Sequence, residues 1–160
     1  MTAQEEDFVH YVECIQSLNN AWVYLQAIRS TETKSALTAA AYRFALIEYA
    51  KPYTTSDGAH RNRKKRNAYK LPPPDLSDSD TKLHQKILDL RNKVLAHSDL
   101  NLLEARVYMP PYPSKPSYGG NIPPSLPKID DVIALIERTL DKMYPEKVRR
   151  ENTLAQSTPV

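Results

Sequence analysis

Two residues of this chain, Arg91 and His97, are of the types that can cleave an RNA phosphodiester without a metal. Five residues separate them in the segment 91–97, which reads RNKVLAH and stands at the end of a predicted helix. A guanidinium holds the negative charge that builds on the phosphoryl group. An imidazole that titrates near neutral pH moves the proton of the attacking 2′-hydroxyl. The pair therefore indicates chemistry on phosphate.

The residues around this pair resemble a known motif. Asn92 follows the arginine, the small Ala96 precedes the histidine, and an apolar helical repeat leads into both. This arrangement resembles the R-x(4 to 6)-H motif of the HEPN superfamily. The resemblance implies a metal-independent endoribonuclease that cleaves RNA by 2′-hydroxyl attack and leaves 2′,3′-cyclic phosphate ends. It also implies a toxin or phage-defence effector, with RNA as substrate and a cognate antitoxin as a further partner.

Under this resemblance the catalytic residues are Arg91, His97 and Asn92. His97 acts as general base or acid, and Arg91 stabilises the phosphoryl transition state with its planar fork. Asn92 orients His97 or the phosphate, although an asparagine near a helix end can equally hydrogen-bond the backbone. The alternative for His97 is a half-buried packing role, because it shares a helical stripe with apolar residues, namely Leu83, Ile87, Leu90 and Val94.

The helical spacing of the pair bears on the oligomeric state. Six residues place Arg91 and His97 about 120° apart on an ideal helix, so the two side chains do not share one narrow face. They converge if the helix ends near Ala96 and His97 turns, or if a dimer brings groups from two protomers together. The HEPN resemblance favours the second route, a homodimer with a shared cleft, and twofold symmetry is the commonest form of oligomer.

Two flanking residues, His84 and Asp99, are possible accessory residues. His84 precedes Arg91 by two helical turns, so we expect it either to contact substrate or to lie solvated on the helix surface. Asp99 either hydrogen-bonds His97 and raises its basicity, or serves as a cap or turn residue together with Ser98.

A basic segment, residues 60–70, provides the second chemical signal. It holds six of the chain's 22 Lys and Arg residues and none of its 19 acids, so the rest of the chain is slightly acidic. Such a cluster attracts the phosphates of RNA, and a nearby tyrosine can stack on a base. The predicted RNA-binding residues are Arg61, Arg63, Lys64, Lys65, Arg66 and Tyr69. A solvated charged loop is the alternative.

Apolar periodicity predicts four helices, over residues 6–29, 34–50, 80–97 and 128–144. The predicted buried stripe of the first helix is Phe8, Tyr11, Val12, Ile15, Leu18, Trp22 and Leu25, and that of the fourth is Ile129, Val132, Ile133, Ile136, Leu140 and Met143. The second helix is predicted to bury the stripe Leu37, Ala40, Ala41, Phe44 and Ile47. Ser79 or Asp80 is expected to cap the third helix, and Pro145 is expected to end the fourth. We therefore predict an all-α fold, an up-and-down four-helix bundle with long basic and proline-rich connecting loops.

The connections between these helices are long for a compact domain. They span residues 51–79 and 100–127, and the second contains seven prolines among residues 110–127. Residues 102–108 ahead of these prolines fit a short strand. The sequence predicts a single HEPN-like helical domain over residues 1–148 and a loose tail over 149–160, which lacks periodicity.

Several other functional classes are poorly represented in the sequence. No apolar run approaches the roughly 20 residues that span a bilayer, so we expect no membrane contact. Acidic residues near the start and the single Cys14, expected in the core, favour a cytoplasmic location without an export signal. No metal-ligand spacing or phosphate-binding glycine loop is present, so no metal and no cofactor are expected.

The alternative to a nuclease is a non-catalytic HEPN-like module that binds a nucleotide or a protein and dimerises.

Overall fold

The computed structural model describes residues 1–31, 35–61, 68–92, 106–108, 117–119 and 126–157. Within these residues the chain forms four α-helices: α1 (Ala3–Arg29), α2 (Ala36–Ala50), α3 (Asp78–Leu90) and α4 (Ile129–Ser157). A short 3-10 turn, Lys51–Tyr53, follows α2 directly. Two three-residue strands, β1 (Arg106–Tyr108) and β2 (Ser117–Gly119), pair antiparallel with Val107 opposite Tyr118. The predicted helical class is confirmed, and β1 falls inside the predicted strand region.

Helix α1 is the central element of the described fold and contacts both α2 and α4. It begins with a capping box, in which the Thr2 hydroxyl accepts from the Glu5 N–H and the Glu5 carboxylate accepts from the Thr2 N–H. Its buried face includes Ile15, Leu18 and Leu25, as the sequence predicts. The buried Cys14 lies on the same face, and burial raises the pKa of its thiol to about 12, so it is a core residue as expected.

Helix α4 runs antiparallel to α1. The Tyr11 hydroxyl donates to the Met143 carbonyl at 3.2 Å, and the Trp22 indole N–H donates to Glu137 at 2.8 Å. Further along α1, Arg29 pairs with Asp130 near the start of α4. The core-facing residues of α4 follow the predicted stripe and include Val132, Ile133, Ile136, Leu140 and Met143.

The predicted end of the fourth helix at Pro145 is wrong. Pro145 lies inside α4, which continues to Ser157, so the predicted loose tail is also wrong for residues 149–157. A proline within a helix removes one backbone hydrogen bond and costs about 3 kcal/mol. Contacts beyond the proline offset part of this cost, because Glu146 pairs with both Arg149 and Arg150 and the Arg150 guanidinium lies 4.2 Å from the centre of the Tyr11 ring.

The buried face of α2 also differs from the prediction. Leu37 is 79% exposed and Phe44 is 44% exposed, whereas the buried residues are Tyr42, Ala45, Leu46, Glu48, Tyr49 and Ala50. Two tyrosines can lie in the core because their hydroxyl groups have partners there. The Tyr42 hydroxyl donates to the Pro127 carbonyl, and the Tyr49 hydroxyl hydrogen-bonds His84.

Helix α3 is the element that positions the predicted catalytic pair. Its N-cap is Ser77, whose hydroxyl accepts from the Asp80 N–H at 3.3 Å, so the predicted caps Ser79 and Asp80 are wrong by two and three residues. Asp80 instead pairs bidentately with Arg138 of α4. Ile87 and Leu90 are buried as predicted, which fixes the rotation of α3 about its axis. Each such side chain contributes about 1.5–3 kcal/mol by its burial.

None of the described helices is long and apolar enough to span a membrane.

Candidate functional site

Arg91 and Asn92 lie at the C-terminal end of α3. Arg91 is the C-cap residue, and its backbone N–H bonds to the carbonyls of Ile87 and Leu88. Because Ile87 and Leu90 are buried immediately before it, the backbone of Arg91 is held firmly against the core. Its side chain is half-buried, and Asn92 is exposed. Helix α3 therefore places the Arg91 guanidinium and the Asn92 amide at the surface, on a backbone that is held in position by the core.

The backbone at these two residues departs from α-helical geometry. Residues 91 and 92 form a wider, π-type turn, whereas the α-helix predicted from the sequence continues through this point to residue 97. Turns of this type add a residue to the helical repeat and recur at functional sites. The angle of about 120° between Arg91 and His97, which assumes an ideal helix with 100° per residue, therefore does not hold at the start of this segment.

The Arg91 guanidinium is oriented by its neighbour. Its Nη1 atom donates to the Asn92 side-chain oxygen at 2.9 Å, so Asn92 contacts the arginine side chain. The Nε atom of Arg91 is buried and has no hydrogen-bond partner among the described residues. An unpartnered buried donor is unusual in proteins, because its desolvation is not compensated. The Nη1 end of the guanidinium, which Asn92 holds, is the part that can contact an anionic ligand, because Nε is enclosed by the protein.

Two predicted site residues, His97 and Asp99, lie outside the described residues. The same holds for Val94, which belongs to the predicted apolar stripe. The catalytic and accessory roles given to His97 and Asp99 stay predictions.

The predicted surface position of His84 is wrong, because the side chain is only 4% exposed. Its Nδ1 atom lies 2.8 Å from the Tyr49 hydroxyl, and its ring meets the Tyr53 ring edge-on with centroids 4.5 Å apart. Burial, assisted by the positive charge of Lys70, lowers the pKa of His84. The imidazole is therefore a neutral core group, and the fold does not bring it to the surface beside Arg91.

The described part of the basic segment is anchored to α1. The backbone N–H groups of His60 and Arg61 donate to the Glu6 carboxylate, at 2.8 Å for the shortest bond of each residue. The Arg61 guanidinium pairs bidentately with Asp7, at 2.7 and 2.5 Å. The Arg61 side chain, predicted to contact RNA, is thus engaged within the protein. The predicted contacts Arg63, Lys64, Lys65 and Arg66 lie outside the described residues.

The other end of the basic segment is held by Tyr69. Its backbone pairs with Ser56 in an antiparallel bridge, and its ring stacks on His10 with centroids 4.8 Å apart. The face of the ring that covers His10 is not free for the predicted base stacking, and the side chain also packs against the hydrophobic core.

Sequence reasoning missed the carboxylates that hold this segment. Glu6 is only 2% exposed. Burial raises its pKa, but the backbone N–H groups of His60 and Arg61 outweigh this effect, and the pKa lies below its usual value. The pKa of Asp7 is lowered by its hydrogen bonds to Arg61. Acidic residues near the start of a helix are common for electrostatic reasons, so nothing in the sequence distinguishes this pair from solvated residues.

No family model, no curated protein and no solved structure matches this chain. Among the described residues, no group of three or more His, Cys, Asp or Glu side chains is arranged to hold a metal ion.

Proposed function

We propose that the protein is a metal-independent endoribonuclease of the HEPN type, with Arg91 and His97 as its catalytic residues and Asn92 as the residue that orients Arg91. The observation that supports this proposal best is the geometry at the end of α3. There Asn92 holds the Nη1 end of the half-buried Arg91 guanidinium in a π-type turn. Phosphate is a ligand that such a donor fork fits.

The proposed reaction is an internal transesterification. His97 removes the proton from a ribose 2′-hydroxyl, and the 2′-oxygen attacks the adjacent phosphorus. The bond from phosphorus to the 5′-oxygen of the next nucleotide breaks, and that oxygen takes up a proton. The products are a 2′,3′-cyclic phosphate end and a 5′-hydroxyl end. Arg91 stabilises the charge that develops on the non-bridging oxygens.

The proposal includes the architecture that would bring the two residues together. We propose that the helices form an up-and-down four-helix bundle and that two copies pair into a homodimer with a shared cleft. In this arrangement the two α3 ends supply Arg91 and His97 to one substrate. As a toxin or phage-defence effector the enzyme would act on cytoplasmic RNA, and a cognate antitoxin would be its natural inhibitor.

The basic segment is proposed to recruit RNA to this cleft. Because Arg61 is paired with Asp7, the phosphate contacts are assigned to Arg63, Lys64, Lys65 and Arg66. The anchoring of Arg61 and Tyr69 on α1 supports this assignment, since it fixes both ends of the basic run to a rigid helix.

The proposal is tested by cleavage of a mixed-sequence RNA in excess EDTA, with end-group analysis of the fragments. Wild type, Arg91→Ala and His97→Ala are compared with Arg29→Ala, a matched control, because Arg29 is an exposed arginine that pairs only with the exposed Asp130 among the described residues. We expect cyclic phosphate ends from wild type and Arg29→Ala, and loss of cleavage in the other two variants.

Absence of cleavage by folded wild-type protein on several RNAs would overturn the nuclease proposal. It would favour the non-catalytic module that binds a nucleotide or a protein. Cleavage that persists in Arg91→Ala and His97→Ala would show that the activity belongs to other residues or to a contaminant.

A further inference from the structure

Helix α2 carries two apolar faces, and the fold buries only one of them. Tyr42, Leu46 and Tyr49 lie in the core, whereas Leu37 is 79% exposed and Phe44 is 44% exposed. The outer stripe of α2 consists of Leu37, Ala40, Phe44 and Ile47. A helix that is apolar all round is ordinarily covered on every side. The outer stripe is therefore a candidate contact surface.

The outer stripe continues onto α1 and carries little charge. The Tyr24 ring of α1, itself 39% exposed, meets the Phe44 ring edge-on with centroids 5.4 Å apart. Arg43 is the one exposed charged residue of α2, a helix that is described throughout. Lys51, beyond the C-terminal end of the stripe, is paired with Glu48. RNA needs several cations on its binding surface, so this stripe fits an apolar partner better.

The order of residues along the outer stripe is self-complementary. In an antiparallel pair of α2 helices with a twofold axis at the alanines 40–41, each residue before the axis faces the residue equally far beyond it. Leu37 then lies opposite Phe44 of the second copy, twice. The alanines meet at the axis, where small side chains let two helices approach closely. Arg43 falls opposite Thr38, so no like charges meet.

The exposed area of the stripe is close to what a dimer needs. Phe44 and Tyr24 are 44% and 39% exposed, and because large ring side chains cover about 150–250 Å², each offers roughly 60–110 Å². With Leu37 and the alanines the stripe offers roughly 400 Å² per copy, or about 800 Å² for a symmetric pair, whereas a specific interface buries about 1,000 Å² or more. The stripe supplies most of this area, and the adjoining surface must supply the rest.

The direction of α3 shows what adjoins the stripe. Asp75, just before α3, contacts Lys142, and Asp80 in the first turn of α3 pairs with Arg138, one turn nearer the start of α4. Helix α3 therefore runs antiparallel to α4. The chain approaches the level at which α4 begins as it reaches Arg91 at the end of α3.

The N-terminal half of α2 lies at that same end of the described fold. The Tyr42 hydroxyl donates to the carbonyl of Pro127, two residues before α4 begins. The alanines 40–41 precede Tyr42 directly, so the centre of the outer stripe and Arg91 lie at one level. A twofold axis at these alanines places the two α3 ends at the level of the axis, as a shared cleft requires.

We propose that the outer stripe of α2, together with Tyr24, forms the interface of a homodimer, with the two α2 helices antiparallel about the alanines 40–41. The partner is a second copy of this chain. The inference rests on the proposed function, because it names the surface that would build the shared cleft. The modest area makes the dimer reversible, so monomer and dimer exchange in the micromolar range.

The test is sedimentation velocity of the full chain without RNA, from about 1 to 100 μM. We expect wild type to pass from monomer to dimer over this range. Leu37→Glu should raise the dissociation constant about 100-fold or more, because the twofold axis repeats each lost apolar contact. The matched control is Val148→Glu, which places the same charge at an exposed valine of α4 and should leave the constant unchanged.

A second variant, Ala40→Cys, tests the position of the axis. The native Cys14 is buried, so it does not form cross-links between copies. Under mild oxidation Ala40→Cys should form a covalent dimer, because a disulfide forms where two Cα atoms lie about 4.4–6.8 Å apart. Val148→Cys is the control and should stay monomeric on a denaturing gel.

Wild type that stays monomeric up to about 100 μM would overturn the proposal, and so would a dimer that Leu37→Glu leaves intact. RNA cleavage is measured on the same samples, and we expect Leu37→Glu to lose it. Cleavage at the wild-type rate by monomeric Leu37→Glu would contradict the shared cleft. Wild type that dimerises through the stripe without cleaving RNA would overturn the nuclease alone, so the interface and the nuclease can fail independently.

Discussion

The middle and the end of α3 use polar side chains in opposite ways. In the middle, His84 is buried against Tyr49 and Tyr53, and burial lowers its pKa. At the end, Arg91 is half-buried and exposed Asn92 holds its guanidinium, while one donor has no partner among the described residues. A histidine and an arginine two turns apart on one helix can therefore have separate roles, His84 in stability and Arg91 in the proposed chemistry.

The largest effect is expected at the end of the helix. Arg91→Lys keeps the charge but loses the planar fork and the present hydrogen bond to Asn92. We expect RNA cleavage to fall about 100-fold or more, which is the size of effect seen when one donor to a developing oxyanion is removed. The free energy of unfolding should change by about 1 kcal/mol or less, because the half-buried side chain keeps its charge and loses one hydrogen bond, that to Asn92. Single-turnover cleavage and urea unfolding measure the two quantities.

A second prediction concerns the middle of the helix. Tyr49→Phe removes the hydroxyl that bonds His84 Nδ1 and leaves that buried nitrogen without its partner. We expect a loss of about 1–3 kcal/mol in the free energy of unfolding. The matched control is Tyr24→Phe, at an exposed tyrosine that packs edge-on against Phe44. Equal stability of the two variants would show that the contact between Tyr49 and His84 contributes nothing.

A third prediction concerns how the free energy of unfolding depends on pH through the buried His84. The pKa of His84 is lower in the folded protein than its ordinary value of 6.5. Below pH 6.5 the unfolded chain therefore binds more protons at this site than the folded chain. The contribution of neutral His84 is fully present above pH 6.5 and declines as the pH falls towards the folded pKa. In urea unfolding at a series of pH values, His84→Gln should reduce this slope, and an unchanged slope would contradict the assignment.

The smallest effect is expected at the surface pair of Asp7 and Arg61, whose side chains are 27% and 38% exposed. Asp7→Asn removes one charge of this bidentate pair and should lower the free energy of unfolding by less than about 1 kcal/mol. Urea unfolding at low and high salt checks this, because screening should shrink the difference between the variant and wild type. A loss as large as that in Tyr49→Phe would mean that the anchor of the basic segment belongs to the core.

Strongly periodic apolar residues made part of this fold predictable from the sequence. The buried faces of α1 and α4 were predicted because aliphatic residues such as Leu18 and Ile136 recur at helical spacing. The face of α2 was not, because its core is formed by Tyr42 and Tyr49, whose hydroxyl groups find partners only in the folded chain. Beyond Pro145, α4 likewise makes a tertiary contact that periodicity does not reveal, the stacking of Arg150 on Tyr11.

The candidate site was predictable to a similar degree. Residue type and spacing indicated Arg91 and Asn92, and the structure places both at the end of α3. The π-type turn that carries them was not predicted, because the apolar repeat of residues 80–97 fits a continuous α-helix. Spacing also suggested a surface position for His84, but only packing against Tyr49 and Tyr53 decides that this residue is buried.

The most direct test of the account measures RNA cleavage and unfolding side by side for wild type, Arg91→Ala and Tyr49→Phe. Cleavage is followed in excess EDTA under conditions where all three proteins are folded. We predict that Arg91→Ala loses cleavage and keeps its stability, whereas Tyr49→Phe loses stability and keeps its cleavage rate. Cleavage by Arg91→Ala at the wild-type rate, or no cleavage by folded wild type, would contradict the assignment of the end of α3 as a nuclease site.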